Sequence, residues 1–135
     1  AKEAGARIVG PGRSDFPNQI NNSLGFPAIF RGVLDVRATT ITDEMAIAAA
    51  QALATYQRDR VFDADHLLPT MSDWEVFPQE AAAVGIRAQE QGVARLGLTY
   101  GELLSKARET IQQAQDMTRF LMEKEIIPPV PEDWA

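Results

Sequence analysis

Two adjacent side-chain amides, Asn21 and Asn22, close the polar run Arg13-Ser14-Asp15-Phe16-Pro17-Asn18-Gln19-Ile20 and precede the more apolar Ser23-Leu24-Gly25-Phe26-Pro27-Ala28-Ile29-Phe30-Arg31-Gly32. An amide offers two N–H donors and one carbonyl acceptor without a charge, which suits a site that must hold both a carboxylate and a hydroxyl. Asparagine is also among the best helix N-caps. Residue chemistry therefore leaves capping and ligand binding both open for the pair, with capping the commoner use.

The flanking elements must position these amides. Ala6-Arg7-Ile8-Val9-Gly10 reads as a short strand ended by Gly10-Pro11-Gly12. Beyond the amides, residues 24–36 place Leu24, Phe26, Ile29, Phe30, Val33 and Leu34 at spacings of three and four, the pattern of a helix with one buried face. Pro27 belongs in its first turn, where a missing N–H costs little. Gly25 and Gly32 read as points of close approach to a neighbouring backbone. Strand, polar loop and helix in this order put the amides beyond a strand's carboxyl end, where ligands sit in open parallel sheets.

The string Gly12-Arg13-Ser14-Asp15-Phe16-Pro17-Asn18-Gln19-Ile20-Asn21-Asn22, followed by Phe26-Pro27, Phe30-Arg31-Gly32 and Leu34-Asp35-Val36, resembles the malic enzymes. The likeness runs on through Ile41-Thr42-Asp43-Glu44-Met45-Ala46, and more loosely through Val76 to Gly92-Val93-Ala94-Arg95. It implies that residues 1–135 are the C-terminal part of an α/β, Rossmann-like NAD(P)-binding domain, helix-rich with one or two strands. The last helix and tail would occupy about 99–135. The resemblance also implies an oxidoreductase that converts malate to pyruvate and CO2 with NAD or NADP and a divalent metal, Mg or Mn. Asn21 would then bind both substrate and cofactor, beside the nicotinamide, and Asn22 would lie at the same site as a second substrate residue, with cap and ligand roles both open for it. The metal carboxylates, the Tyr and Lys pair and the cofactor fingerprint of the family would all precede Ala1. No catalytic residue or metal ligand is expected within this segment, and the piece alone is expected to be inactive. Its partners would be malate or pyruvate, the rest of the malic enzyme chain and other copies in a homo-oligomer. The alternative reading is a non-catalytic helical interaction or oligomerisation module.

Composition narrows the classes. The chain has 135 residues, one domain's worth, and a net charge of −6 with no basic stripe, which disfavours nucleic acid as a partner. No apolar run is long enough to span a bilayer. With no cysteine there is no disulfide or thiolate chemistry, which is compatible with a cytoplasmic location.

Further along, Thr42 with Asp43 and Glu44 starts an alanine-rich helix to about Tyr56 that should pack tightly on a neighbour. Residues 57–72 form a polar connection in which Asp63, Asp65 and His66 have metal-ligand chemistry but no partner pattern, so no metal is assigned there. Ser72 and Glu75 have capping-box spacing, while Pro78 suggests that the next helix begins a turn later. Gly92 closes that helix as a left-handed cap, with Gln89, Glu90 and Gln91 facing solvent. Thr99 and Glu102 open a last helix, about 100–124, striped by Leu103, Leu104, Ala107, Ile111, Ala114, Met117 and Leu121 as core or partner surface. Arg13, Asp15, Arg31, Asp35 and Arg37 read as ion pairs, Tyr56, Tyr100, Lys2, Lys106 and Lys124 as structural or solvated groups, and Trp134 as packed on another surface or frayed.

Overall fold

The computed structural model describes residues 1–60 and 63–131; Trp134 lies outside them. After short 3-10 turns at Lys2–Ala4 and Asn22–Leu24 come four helices, α1 (Phe26–Asp35), α2 (Asp43–Arg58), α3 (Val76–Glu90) and α4 (Tyr100–Glu123). Local chemistry explains most of their ends. Pro27 lies in the first turn of α1. Thr42 caps α2 by accepting from the Met45 N–H at 3.3 Å, with Asp43 and Glu44 in the first turn. At the start of α4 the reciprocal box forms: Thr99 accepts from the Glu102 N–H, and the Glu102 carboxylate accepts from the Thr99 N–H at 2.8 Å. At the end of α3, Gly92 has φ 70, its N–H bonds the Gln89 carbonyl, and the Val93 N–H bonds the Ala88 carbonyl at 3.1 Å. This double return satisfies carbonyls that the last turn would otherwise leave open.

The third helix is the centre. It buries Val76, Pro78, Glu80, Ala81, Ala82, Val84, Gly85 and Ala88, so it is covered nearly all round, and α1, α2 and α4 pack against it. Val36, Met45, Ala49, Ala82, Val84, Ala88 and Leu103 form the main core, and Ala28, Ala81 and Ala107 a smaller one where α1, α3 and α4 meet. The helices approach closely because small residues face each other. A Cβ on Gly32 would overlap the Ala81 carbonyl oxygen and lie 2.9 Å from Val84 Cβ. The alanines of α2 are used unevenly: Ala48 and Ala49 are buried, whereas Ala46, Ala50 and Ala54 are exposed. Of the α4 stripe, Leu103 and Ala107 are buried, but Ala114 and Met117 are exposed.

Three expectations are corrected. No strand is present among the described residues, whose only β-type pairing is the isolated bridge Asp63 to His66. Residues 6–10 are largely exposed and irregular, because a strand's N–H and C=O groups need a neighbouring strand. The Ser72–Glu75 box does not form. The Asp73 carboxylate instead accepts from the Thr70 N–H and hydroxyl, each at 2.7 Å, while Glu75 pairs with Arg108 at 2.8 Å. Finally, Glu90 and Gln91 are exposed as expected, but Gln89 is half-buried. Gln89 accepts from the Leu98 N–H at 2.7 Å and donates to the Leu98 carbonyl at 3.0 Å, and Gln91 accepts from the Thr42 hydroxyl at 2.7 Å. Both tie the 91–98 connection to its neighbours.

Two surfaces are left apolar. Phe26, Phe30 and Leu34, one turn apart on α1, are each about half exposed or more, and the outer half of α4 exposes Met117 and Phe120. No described helix is long and apolar enough to cross a membrane.

Candidate functional site

The asparagine run folds as a loop closed on itself. The Ile20 N–H bonds the Pro11 carbonyl at 2.8 Å, and Gln19 reaches the Gly12 carbonyl at 3.4 Å. On its rim Arg13 donates to Asp15 at 2.8 Å, and that bond holds the Asp15 carboxyl below its usual range. The loop ends at Asn21, whose extended backbone (φ −117, ψ 119) and side chain make it the cap of the 3-10 turn. Its Oδ1 accepts from the Ser23 N–H at 3.0 Å, while its Nδ2 makes no hydrogen bond to the described residues. The capping role thus falls on Asn21 and uses one end of the amide, leaving both donors of the other end available. Asn22 is exposed, and its side chain bonds nothing among the described residues. Its carbonyl accepts from the Gly25 N–H at 3.0 Å.

Across from this loop lies the 63–71 connection. Together they line a cavity of about 460 Å3 whose walls include Ser14, Asn18, Asn21, His66 and Thr70. Asn21 therefore stands on a concave wall, and the opposing wall was not legible in the sequence. What joins the two walls is Asn18. Its Nδ2 donates to the Ala64 carbonyl and its Oδ1 accepts from the Leu67 N–H, both at 2.7 Å, and the side chain is buried. A left-handed backbone at Asn18, φ 58, turns the amide inward. Asparagine tolerates that region better than most residues, which was the available signal, but its partners are more than forty residues away.

The acidic and histidine groups of the connection are engaged locally. His66 Nδ1 lies 2.9 Å from Asp63 Oδ1, a bond that holds the Asp63 carboxyl below its usual range, and Asp65 pairs with Lys2 at 3.3 Å. Among the described residues no three His, Asp or Glu groups converge as metal ligands would. The other charged set pairs largely as expected. Asp35, buried at the end of α1, accepts from Arg31 Nε and lies by Lys106 Nζ, each at 3.0 Å, whereas Arg37 joins no ion pair among the described residues.

A second group the sequence does not signal is Glu80. It is fully buried in α3, neither carboxyl oxygen has a hydrogen-bond partner among the described residues, and burial pushes its carboxyl up to about 8. Its Oε1 faces Gly25, just past the asparagine turn, 3.7 Å from where a Cβ would stand.

The family profile described as malic enzyme, NAD binding domain, matches residues 7–89. A bifunctional malic/malolactic enzyme of Bacillus subtilis is 51% identical to this chain, over 81% of the chain and 27% of that protein. An NADP-dependent malic enzyme of Rhizobium meliloti is 43% identical, over 77% of the chain and 16% of its own length. Among solved structures, the malic enzyme of Entamoeba histolytica superposes with a TM-score of 0.90 at 45% identity, covering 98% of this chain and 27% of that one. The chain thus spans about a quarter of the length of two of these proteins and less of the third.

Proposed function

This chain belongs to the malic enzyme family, whose NAD-binding domain profile matches residues 7–89, and from that premise we propose that it forms one wall of the pocket in which malate is oxidised and decarboxylated to pyruvate and CO2. The observation that carries the reading is the Asn21 amide on the cavity wall, tethered through its oxygen and open through its nitrogen. A tethered donor costs little further ordering when it meets a carboxylate or hydroxyl, so it can fix the C2 hydrogen of malate toward the nicotinamide. Bound NAD or NADP would supply the hydride acceptor, and an amide N–H fits a carboxamide as well as a carboxylate. Asn22, exposed beside it, is the second candidate ligand.

The described residues do not fit a resident divalent metal, and we assign Mg or Mn to the remainder of the enzyme chain, together with the proton-transfer groups and most of the cofactor site. A Rossmann-like sheet would be completed by the same remainder, giving residues 6–10 the strand partners they lack here. The apolar stripe of Phe26, Phe30 and Leu34 favours burial against further protein, and a cytoplasmic homo-oligomer is the assembly we propose. The interaction-module reading rests on the same stripe but leaves the open Asn21 donors without use.

In the complete enzyme, Asn21→Ala is expected to lower kcat/KM for malate at least tenfold, on the order of 1.4 kcal/mol of transition-state binding. Unchanged kinetics would remove Asn21 from the pocket. Asn22→Ala should leave unfolding within about 0.5 kcal/mol of the parent, because its amide supports no bond within the described residues. A larger drop in the urea midpoint would instead reveal a structural role for Asn22.

A further inference from the structure

Asn18 shares the cavity with Asn21, yet both ends of its amide are occupied by main-chain groups of the opposite loop. We infer that Asn18 is a positioning residue for the reaction, a clamp that fixes the separation of the two cavity walls and thereby the direction of the Asn21 amide. The inference rests on the reading of Asn21 as a substrate ligand.

Three features single Asn18 out. It is 9% exposed on a loop whose neighbours from Gly12 to Pro17 are all exposed, so it is buried for a reason other than apolar packing. Its two bonds at 2.7 Å run to the Ala64 carbonyl and the Leu67 N–H, so one neutral amide satisfies a donor and an acceptor of the partner loop at once. Aspartate could meet the Leu67 N–H but would set a charged oxygen against the Ala64 carbonyl. The backbone at φ 58 is one that glycine would adopt more easily, so a side chain is kept there despite the conformational cost. Only Gln19 and Ile20 separate the clamp from Asn21, and the Ile20 N–H is itself held by the Pro11 carbonyl at 2.8 Å. A shift at Asn18 is therefore passed to Asn21 rather than absorbed by slack.

The test compares Asn18→Gly, Asn21→Ala and the double variant in the complete malic enzyme. Asn18→Gly keeps the backbone conformation accessible and removes both bonds. It is expected to lower kcat/KM for malate at least tenfold and to speed amide hydrogen exchange across residues 64–67 by a similar factor. Because the clamp acts through Asn21, the double variant should fall no more than about twofold below Asn21→Ala alone. Asn18→Asp serves as the second variant should glycine impair folding, with the same kinetic loss expected. If Asn21→Ala is fully active, the substrate reading fails and the clamp with it. If Asn21→Ala is impaired while both Asn18 variants turn over normally, the clamp alone is overturned. Losses that multiply in the double variant would overturn it equally, since they would show an effect not routed through Asn21.

Discussion

Replacing Glu80 by glutamine should stabilise the protein by on the order of 3–5 kcal/mol near pH 9 and change little near pH 4. The carboxyl is fully buried without a hydrogen-bond partner among the described residues, and loss of hydration raises it from an ordinary 4.5 to about 8. Between those values the folded chain keeps a proton that the unfolded chain has released. Since the native state binds more protons there, stability must fall as pH rises, by about 1.4 kcal/mol per pH unit while the difference is complete. Below about 4.5 both states are protonated, and above about 8 both are ionised, so the slope is confined to that window. Glutamine has the same shape, cannot ionise and should remove the slope. The carboxylates of Asp15, Glu44, Asp63 and Glu102 are all shifted the other way by their hydrogen bonds. Their contribution is lost only as pH drops through the acid range, outside the Glu80 window. Urea unfolding of parent and Glu80→Gln from pH 4 to 9 decides the matter. Parallel curves would mean that Glu80 is ionised and solvated in the folded protein.

Gly32→Ala is the other large effect, in the opposite direction. Alanine favours a helix interior over glycine by about 1 kcal/mol, so propensity alone argues for stabilisation. Packing argues against it more strongly. The new methyl would overlap the Ala81 carbonyl oxygen, a main-chain atom of α3 that can move only with its helix, and would press on Val84. Separating α1 from α3 opens both core clusters, and a net loss of about 2–3 kcal/mol is expected. Gly85→Ala is the internal control. Its methyl would meet Leu103 Cδ1 at 2.8 Å and Cδ2 at 3.2 Å and Val36 Cγ1 at 3.3 Å, side-chain rather than main-chain atoms, so a smaller loss of about 1–2 kcal/mol is expected. Urea midpoints that rank Gly32→Ala as the milder change would contradict the close crossing of α1 and α3.

These two residues also mark where sequence reading reaches its limit. Thr42, Thr99 with Glu102, and Gly92 announce helix ends through bonds to residues within five positions, Pro27 through the N–H it lacks, and all four helices were legible from such signals and from apolar spacing. The Ser72–Glu75 pattern was equally local but lost to the competing Thr70–Asp73 turn. Gly32 was readable as a close approach, though not what it approaches. Glu80 looks like any helical glutamate until α1, α2 and α4 converge on α3. At the site, the asparagine turn stood out at once, whereas its opposite wall depends on the 46- and 49-residue spans closed by Asn18. The strand expected at 6–10 needed partners, and hydrogen-bond demand across a sheet is not written in five residues.

The alanine and glycine contacts that bring α1, α3 and α4 together have a thermodynamic consequence. Burying a leucine or methionine freezes side-chain torsions that were free in the unfolded chain, and part of the gain from burial is lost to that ordering. Ala28, Ala81 and Ala107 have no such torsions, and the same holds for Gly32 and Gly85. The area they remove from water is small, yet none of its effect is offset by lost rotamers. Gly32 and Gly85 still meet Val84 and Leu103, whose side chains have torsions of their own, so only the contacts among the three alanines are free of alternative rotamer packings. Ala28 ties this cluster to α1, the helix that the asparagine turn directly precedes and contacts.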